Sequence, residues 1–397
     1  MKRQIGIIIL IALVIVGGAF FGITQSQSAS QPAYSADVVS ALSGGDTTGY
    51  ARALKVRDFA FPQDYGAHPD FQTEWWYYTG NLATQDGRRF GFEFTIFRRA
   101  IAPTLPARQS LWATNQIYFA DFAVSNIGDN QFYSGQQFSR GAVGLAGATL
   151  DPRLKVWIEN WTMSAQNDDV SVMRLQAADG PMTIDLTTKQ LKPPALQGDH
   201  GLSAKSPEPG NASYYYSLTR LPTEGTITVN GTPYQVTGNS WLDREWSTSV
   251  LSKDAVGWDW FALQLDNQRE IMLYVIRKND GSIESVSRGT LIEADGSTQS
   301  IPLDKFKVDS TGKWTSQRTG TTYPSGWHVN IQADSGPIQL DITPLMQDQE
   351  LNSVTAYWEG ASKISGTDNG KPIQGYGYVE LTGYNRSPSG ESEKTTR

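Results

Sequence analysis

The sequence predicts an all-β protein built from antiparallel barrels, on three observations. Aromatic residues make up 11% of the 397 residues and charged residues only 18%, which suits strands around aromatic pockets better than a helical bundle. Turn signals such as Asp86-Gly87, Asn230-Gly231 and Asp280-Gly281 recur roughly every 8 to 15 residues. Short runs in which apolar side chains alternate between two faces lie between these turns, and long stretches with the 3.6-residue period of a helix are scarce. Barrels are favoured over open sheets because they remove exposed edges.

Two runs carry the strand pattern most clearly. Phe90, Phe92, Phe94 and Ile96 fall on one face of a strand, opposite polar residues. The run 271–276 is apolar on both faces, which predicts a central strand with packing on each side.

The N-terminus carries an apolar run, residues 5–23, directly after Lys2 and Arg3. As a helix it would rise about 28 Å, nearly enough to cross a bilayer. Residues 1–30 are therefore predicted to be a signal peptide or a membrane anchor, and residues 31–57 a linker. Since a basic flank stays in the cytoplasm, the rest is expected to be anchored facing the periplasm or extracellular side, or secreted.

The length of the chain allows two domains. A boundary near residues 236–250 divides a first domain, 58–245, from a second, 246–386, and a disordered tail is predicted over 387–397. The Pro/Gly-rich tract 192–210 is expected to be a long irregular loop, and loops of that length are often functional rims or lids.

Composition and missing motifs exclude several functions. A net charge of -7 without a basic run beyond the first positions argues against nucleic-acid binding. The absence of cysteine excludes disulfides, thiolate catalysis and a lipobox. The three histidines lie far apart, so no metal site is predicted. Without a Gly-x-Ser-x-Gly elbow, phosphate loop or dinucleotide motif, no cofactor is expected.

The stretch 68–82 places four consecutive aromatics after Glu74. On a strand, Glu74, Trp76 and Tyr78 share one face, and Trp75 and Tyr77 share the other. Rings on both faces predict a packed core on one side and a lined cavity or second layer on the other. The structural alternative is a core strand whose glutamate hydrogen-bonds locally.

The stretch 238–247 is the second candidate. An extended chain would place Trp241, Asp243 and Glu245 on one face. Two carboxylates among rings raise one pKa through repulsion and poor solvation, which gives a neutral acid at pH 7. The alternative is an ion-pair network centred on Arg244 that joins two domains.

These stretches, read together, resemble a known family. Residues 68–80, 241–246 and 257–265, with the C-terminal segments 356–360 and 375–384, are similar to the AttH-like family of predicted secreted hydrolases. That family is related to carotenoid 1,2-hydratase (hydroxyneurosporene synthase) and to kievitone hydratase. The resemblance covers about residues 58–386 and implies two consecutive lipocalin-like β-barrels.

The resemblance also implies a chemistry. Relatives add water to an isolated double bond without a cofactor, and similar proteins act as cyclases. Asp243 would be the acid, with Glu245 or Glu74 raising its pKa or orienting water. The family's essential aspartate lies in this second acidic region, where Glu245 and Asp259 are the other candidates. The wall that stabilises the cation would consist of Trp76, Tyr78, Trp241 and Trp258.

Three functions follow as expectations. The first is a hydratase or cyclase acting on a hydrophobic, isoprenoid-like or polyketide-like substrate, with the membrane reached through the N-terminal segment. The second is a non-enzymatic carrier, which requires a cavity lined by apolar groups alone. The third is a hydrolase, which requires a serine or histidine near the acids. The enzymatic site also requires Glu74 and Asp243 to share one pocket.

Overall fold

The computed structural model describes residues 46–105, 107–248, 251–351 and 357–385. All of them belong to one compact unit that spans Ala36–Arg397. The predicted N-terminal segment, most of the predicted linker and the predicted tail lie outside the described residues. Among the described residues, no helix is long and apolar enough to span a membrane.

Two antiparallel sheets curl into nearly closed barrels, so the predicted fold class is confirmed. The strands of the first sheet are β1 Thr73–Ala83, β2 Arg89–Ala100, β3 Gln116–Asn126, β4 Gln131–Arg140, β5 Ala146–Thr149, β6 Lys155–Ile158, β7 Trp161–Ala165, β8 Val172–Asp179, β9 Met182–Lys189, β10 Ala195–Leu196, β11 Leu202–Ala204, β12 Ala212–Val229 and β13 Thr232–Ser247. Their order is β4-β3-β2-β1-β13-β12-β9-β8-β7-β6-β5, with β10 and β11 also paired to β12.

The second barrel follows in sequence. Its strands, with the separate ribbon β19-β20, are β14 Ala255–Leu265, β15 Glu270–Lys278, β16 Arg288–Ile292, β17 Thr298–Pro302, β18 Phe306–Ser310, β19 Lys313–Thr315, β20 Thr322–Pro324, β21 Trp327–Ala333, β22 Gly336–Pro344, β23 Trp358–Asp368 and β24 Lys371–Leu381. The order is β17-β16-β15-β14-β24-β23-β22-β21-β18. The described 3₁₀ helices are Gln63–Tyr65, Ile127–Asp129 and Leu303–Lys305.

Local sequence explains the hairpins. Asn230 and Gly231 connect β12 to β13 with φ of 50° and 78°, and Asn369 and Gly370 connect β23 to β24 with φ of 49° and 75°. Positive φ at both turn positions favours Asn-Gly, which matches the right-handed twist of the flanking strands. These turn signals therefore correctly marked the hairpins. The tract 192–210 was expected to be irregular, but β10 and β11 hydrogen-bond to β12 within it.

The alternating runs fill two cores and the layer between them. The inward face of β2, from Phe90 to Ile96, is fully buried in the first barrel. Strand β15 is buried on both faces, as predicted: Leu273 faces the second core, and Met272 packs in the layer between the barrels.

The barrels pack with their sheets in direct contact. The Asn81 side-chain amide on β1 donates to the Gly377 carbonyl on β24 over 2.9 Å. A Cβ at Gly91 would lie 2.5 Å from the Ala361 Cβ on β23, so a larger residue there would force the two sheets apart.

Strand β1 is held to both neighbours by a buried ion-pair network. The Glu74 carboxylate accepts hydrogen bonds from Arg98 on β2 and Arg244 on β13, and all three side chains are almost completely buried. The His68 backbone N–H also donates to it, at 3.0 Å. Burial alone would raise the pKa of Glu74, but the two guanidinium groups hold it well below its usual range. Glu74 is therefore an ionised structural residue.

We predict that Glu74→Gln strongly destabilises the protein, because it leaves two buried guanidinium groups without their carboxylate. The expected loss is about 3–5 kcal/mol in the free energy of unfolding, measured by urea titration. The control is Asp185→Asn, which removes the exposed pair with Arg174 and should cost less than about 1 kcal/mol. Equal losses in both variants would contradict this account.

Candidate active site between the barrels

A cavity lies in the layer between the barrels. It has about 700 Å³ of empty space, including open solvent at its mouth. Side chains from both barrels line it, and most are aromatic: Trp75, Tyr77, Phe97, Lys205, Tyr215, Asp243, Glu245, Leu251, Trp258, Trp260, Tyr274, Ile276, Tyr357 and Glu380. An apolar cavity with a few convergent polar groups is the usual form of a small-molecule site.

Asp243 is the most elaborately bonded acid in the cavity. Its Oδ1 accepts hydrogen bonds from Ser217 Oγ at 2.5 Å and Trp241 Nε1 at 2.6 Å, and its Oδ2 accepts one from Tyr215 Oη at 2.5 Å. Burial raises the pKa of Asp243 to about 7, against the lowering effect of these three donors. With two donors on Oδ1 and one on Oδ2, Oδ2 is the oxygen better placed to carry a proton.

Glu245 lies two residues along the same strand face and is paired with a cation. Lys205 Nζ lies 2.8 Å from Glu245 Oε1, which also accepts a hydrogen bond from Ser213. Burial alone would lower the pKa of Lys205, but Glu245, Tyr274 and Asp243 together outweigh burial and the pKa is raised. Lys205 is therefore a permanent cation in the cavity wall and cannot serve as a base.

Glu380 brings a carboxyl from the second barrel. It lies on β24, and the indole of Trp258 hydrogen-bonds to it. Burial raises the pKa of Glu380 to about 8, with a further contribution from the negative charge of Asp243. The cavity thus contains two carboxyl groups, one from each barrel, that titrate near neutral pH.

Three further buried acids lie close to Glu380 in the layer between the barrels. They are Glu93, Asp121 and Glu359, whose bonding partners are hydroxyls and an amide: Thr95 for Glu93, Tyr357 and Gln136 for Asp121, and Tyr77 for Glu359. Burial, together with the neighbouring acids, raises the pKa of Glu93 and Glu359 well above its usual range, and burial raises that of Asp121 to about 7. At pH 7 Asp121 is therefore about half protonated, and Glu93 and Glu359 hold their protons more strongly than ordinary carboxyl groups do.

Part of the sequence-predicted site is assembled here. Asp243, Glu245 and Trp258 line the cavity, and Trp241 packs in the surrounding aromatic layer while donating to Asp243. The predicted division of the stretch 238–247 into two faces is correct. Trp241, Asp243 and Glu245 face the layer between the barrels, whereas Leu242 and Trp246 point into the first barrel.

The other predicted residues lie elsewhere. Glu74, Trp76 and Tyr78 face the core of the first barrel. The expectation that Glu74 shares a pocket with Asp243 is therefore wrong, and the site predicted on that pairing does not exist. The cavity holds Asp243 with Glu245 and Glu380 instead. Strand β1 does have a core on one face and a cavity on the other, but the cavity face carries Trp75 and Tyr77. Asp259 also lies off the cavity, bound by Arg277 at 3.0 Å and by Tyr384.

The alternative for the stretch 238–247, an Arg244-centred network that joins two domains, is right about the network and wrong about the joining. Arg244 does centre a buried network, but its carboxylate partner is Glu74 in the same barrel, so the network does not join the two domains. Its guanidinium also lies 4.0 Å from the centre of the Trp76 ring. The same strand β13 therefore carries the structural network on one face and the acids on the other.

Sequence reasoning missed Lys205, Tyr215, Trp260 and Glu380. Tyr215 could have been found from strand pairing, because it lies directly opposite Glu245 in the β12-β13 register. Trp260 shares its strand face with Trp258, which was predicted. Lys205 lies in the tract 192–210, a loop of the length that often forms a functional rim or lid, and Glu380 lies in the family-like segment 375–384, but neither side chain was singled out.

The histidines and the acids do not form a metal site. His68 stacks on Trp246 inside the first barrel, with ring centres 3.8 Å apart, and His200 and His328 are mostly exposed beside Asp199 and Asp341. Within the described parts of the chain, no group of three or more His, Asp or Glu side chains is arranged to hold a metal ion.

These features define a two-barrel β protein with an acid-containing aromatic cavity between its barrels. The chain belongs to the AttH-like family, whose profile matches residues 52–384. The crystal structure of an AttH protein from Nitrosomonas europaea is 36% identical, superposes with a TM-score of 0.75, and is matched over 85% of this chain and 100% of that one.

Two curated relatives are enzymes. Kievitone hydratase from Fusarium solani subsp. phaseoli is 27% identical over 241 residues, 59% of this chain and 65% of the relative. Dehydratase asqC from Emericella nidulans is 23% identical over 227 residues, 54% of this chain and 62% of the relative. The match therefore spans less than two thirds of the length of either relative.

We predict that the protein loses stability as the pH rises from about 5 to about 8. A buried acid with a raised pKa keeps its proton in the folded state after the unfolded chain has released it, so rising pH favours unfolding through this interval. Acids with ordinary or lowered pKa values have already lost their protons by about pH 5. The melting temperature should fall steadily across the interval.

The double variant Glu93→Gln/Glu359→Gln should show a shallower fall, because two of the responsible groups no longer titrate. Asp185→Asn, at an exposed site where Arg174 lowers the pKa, should keep the slope of the unmodified protein. A melting temperature that is constant or rises between these pH values would refute the protonation states assigned to the buried acids.

Proposed function

We propose that the protein is a cofactor-independent hydratase or dehydratase that acts on a hydrophobic, unsaturated substrate, isoprenoid-like or polyketide-like, in the cavity between the barrels. The observation that carries the proposal is Asp243: a buried carboxyl with a pKa of about 7 in an aromatic cavity. A general acid works best when its pKa lies near the operating pH. The hydratase and dehydratase among the relatives support the same class of reaction.

In the hydration direction, protonated Asp243 gives its proton to one carbon of the double bond, whose π electrons form the new C–H bond. The positive charge left on the neighbouring carbon is stabilised by aromatic faces such as Trp75, Trp258 and Trp260, by about 2 kcal/mol for each desolvated contact. Trp75 and Trp260 thus take the cation-stabilising role that was first predicted for Trp76 and Tyr78, and Trp258 keeps it.

A water molecule then attacks the cation and releases a proton, which returns to the Asp243 carboxylate. Glu245, held by Lys205, is the group proposed to orient this water. The net change is the addition of one water, and the reverse sequence removes one. Tyr215 and Ser217 stabilise the carboxylate between the two proton transfers, since both donate to it.

The cavity also bears on the two alternative functions. A carrier was expected to have a cavity lined by apolar groups alone, whereas Lys205, Asp243, Glu245 and Glu380 line this one. A hydrolase was expected to place a serine or a histidine near the acids. All three histidines lie off the cavity, but Ser213 and Ser217 hydrogen-bond to Glu245 and Asp243, so serine meets that requirement. The charged lining therefore favours the hydratase proposal over a carrier, and a hydrolase stays the second candidate function.

We predict that Asp243→Asn lowers turnover by about 100-fold or more while ligand affinity changes little, because the amide keeps the volume but cannot transfer a proton. Turnover is measured as incorporation of heavy-oxygen water into a panel of prenylated phenols and linear isoprenoids, and affinity as quenching of tryptophan fluorescence. Asp259→Asn, a matched change off the cavity, should remain active. Full turnover in the Asp243→Asn variant would reject the proposal.

The rate of hydration should fall as the pH rises through about 7, because only the protonated form of Asp243 delivers a proton. Activity is measured between about pH 5 and pH 9, within the range where circular dichroism shows a folded protein. A rate that rises through pH 7 would instead indicate that an ionised group starts the reaction, and would exclude Asp243 as the initial acid.

A further inference from the structure

One end of the first barrel carries exposed apolar side chains that the proposed reaction does not use. Ile101, Leu105, Leu111 and Trp112 lie in the connection between β2 and β3, and Phe138 lies near the end of β4. These five side chains, here called the apolar rim, are between 52% and 83% exposed. Large exposed apolar groups concentrated at one end of a barrel mark an interaction site on a protein surface.

The rim lies at the same end of the barrel as the cavity. Strand β1 begins and β2 ends there, since Thr73 pairs with Arg99. The cavity residues Trp75 and Phe97 therefore lie within a few positions of the connection that carries the rim.

A row of aromatic rings joins the cavity to the rim. Trp75, Phe97, Phe119 and Phe138 are directly opposite one another on β1, β2, β3 and β4. Successive ring centres are 6.2, 4.4 and 6.0 Å apart. The row starts in the cavity wall, passes through the buried rings of Phe97 and Phe119, and ends at exposed Phe138, so packed rings connect the site to the rim.

The described chain also enters the barrel beside the rim. The Tyr50 hydroxyl donates to the Ala100 carbonyl over 3.2 Å. A Cβ at Gly49 would lie 3.0 Å from Pro103 Cγ, so the backbone at Gly49 packs closely against this connection. The described chain therefore begins next to the rim, and the sequence that precedes it contains the apolar run 5–23, which is predicted to be part of a signal peptide or a membrane anchor.

We propose that the apolar rim docks onto a lipid bilayer, so that the cavity mouth faces the membrane surface. The start of the described chain beside the rim selects a bilayer over other partners, because the apolar run 5–23, retained as an anchor, would join the body at this end. Tryptophan and leucine on a projecting loop suit insertion into the interface between headgroups and acyl chains. This inference concerns the surface and does not depend on the reaction proposed for the cavity.

The test uses the full chain, which has no cysteine, so that one introduced cysteine gives a unique labelling site. The Leu111→Cys chain carries a nitrobenzoxadiazole label and is reconstituted into phosphatidylcholine vesicles with or without doxyl-labelled lipid. The matched control is Gln85→Cys, an exposed position in the β1-β2 turn at the opposite end. The two labels are separated by roughly the length of β1, on the order of 35 Å.

The fluorescence emission of the label at residue 111 should shift to shorter wavelength and be quenched by the doxyl lipid. The emission of the label at residue 85 should show neither change. Adding Ile101→Ser, Leu105→Ser and Trp112→Ser to the Leu111→Cys chain should weaken the quenching by about twofold or more, since less apolar surface drives insertion. Equal quenching at residues 85 and 111 would overturn the proposal. A label at 111 that is shielded from both doxyl lipid and aqueous iodide would also overturn it, because another protein segment or a second copy would then cover the rim.

Discussion

The alternation of side chains along β1 and β13 is the constraint on which the rest of the structure depends. These two paired strands form a wall with the first core on one side and the layer between the barrels on the other. Each successive residue enters a different environment. A shift of the register by one position would place Arg244 in the aromatic cavity and Asp243 in the apolar core, and both exchanges are unfavourable.

The two faces give acids of the same wall opposite properties. Glu74 faces two arginines and stays ionised, which ties three strands together. Asp243, on the opposite face, has hydroxyl and indole donors but no direct cation, and burial therefore moves its pKa towards neutrality. Residue type does not distinguish the structural acid from the candidate catalytic one. Their charged neighbours do, and these are set by strand pairing between residues far apart in sequence.

Much of the fold could be predicted from local sequence, because turn chemistry and strand alternation are local properties. Asn230-Gly231, the inward phenylalanines of β2 and the doubly buried β15 were all correctly interpreted. The candidate site was only partly predictable. Rings lie on both faces of β1, so the sequence could not tell which face the cavity occupies, and Glu74, Trp76 and Tyr78 were placed there wrongly. Lys205 and Glu380 lie in stretches that the sequence did point to, but the packing of a loop and of the second barrel brings these particular side chains to the cavity, and no local pattern identifies them.

The cavity is lined from both sides of the contact between the barrels. On the proposed chemistry, the first barrel supplies the proton through Asp243, whereas Trp258, Trp260 and Glu380 on the opposing wall belong to the second. The proton donor and one wall of the cavity are thus encoded in separate halves of the gene. Sequence drift in the C-terminal half can diversify the compounds that a lineage accepts while the proton donor is left intact, which offers an evolutionary route from one scaffold to many products.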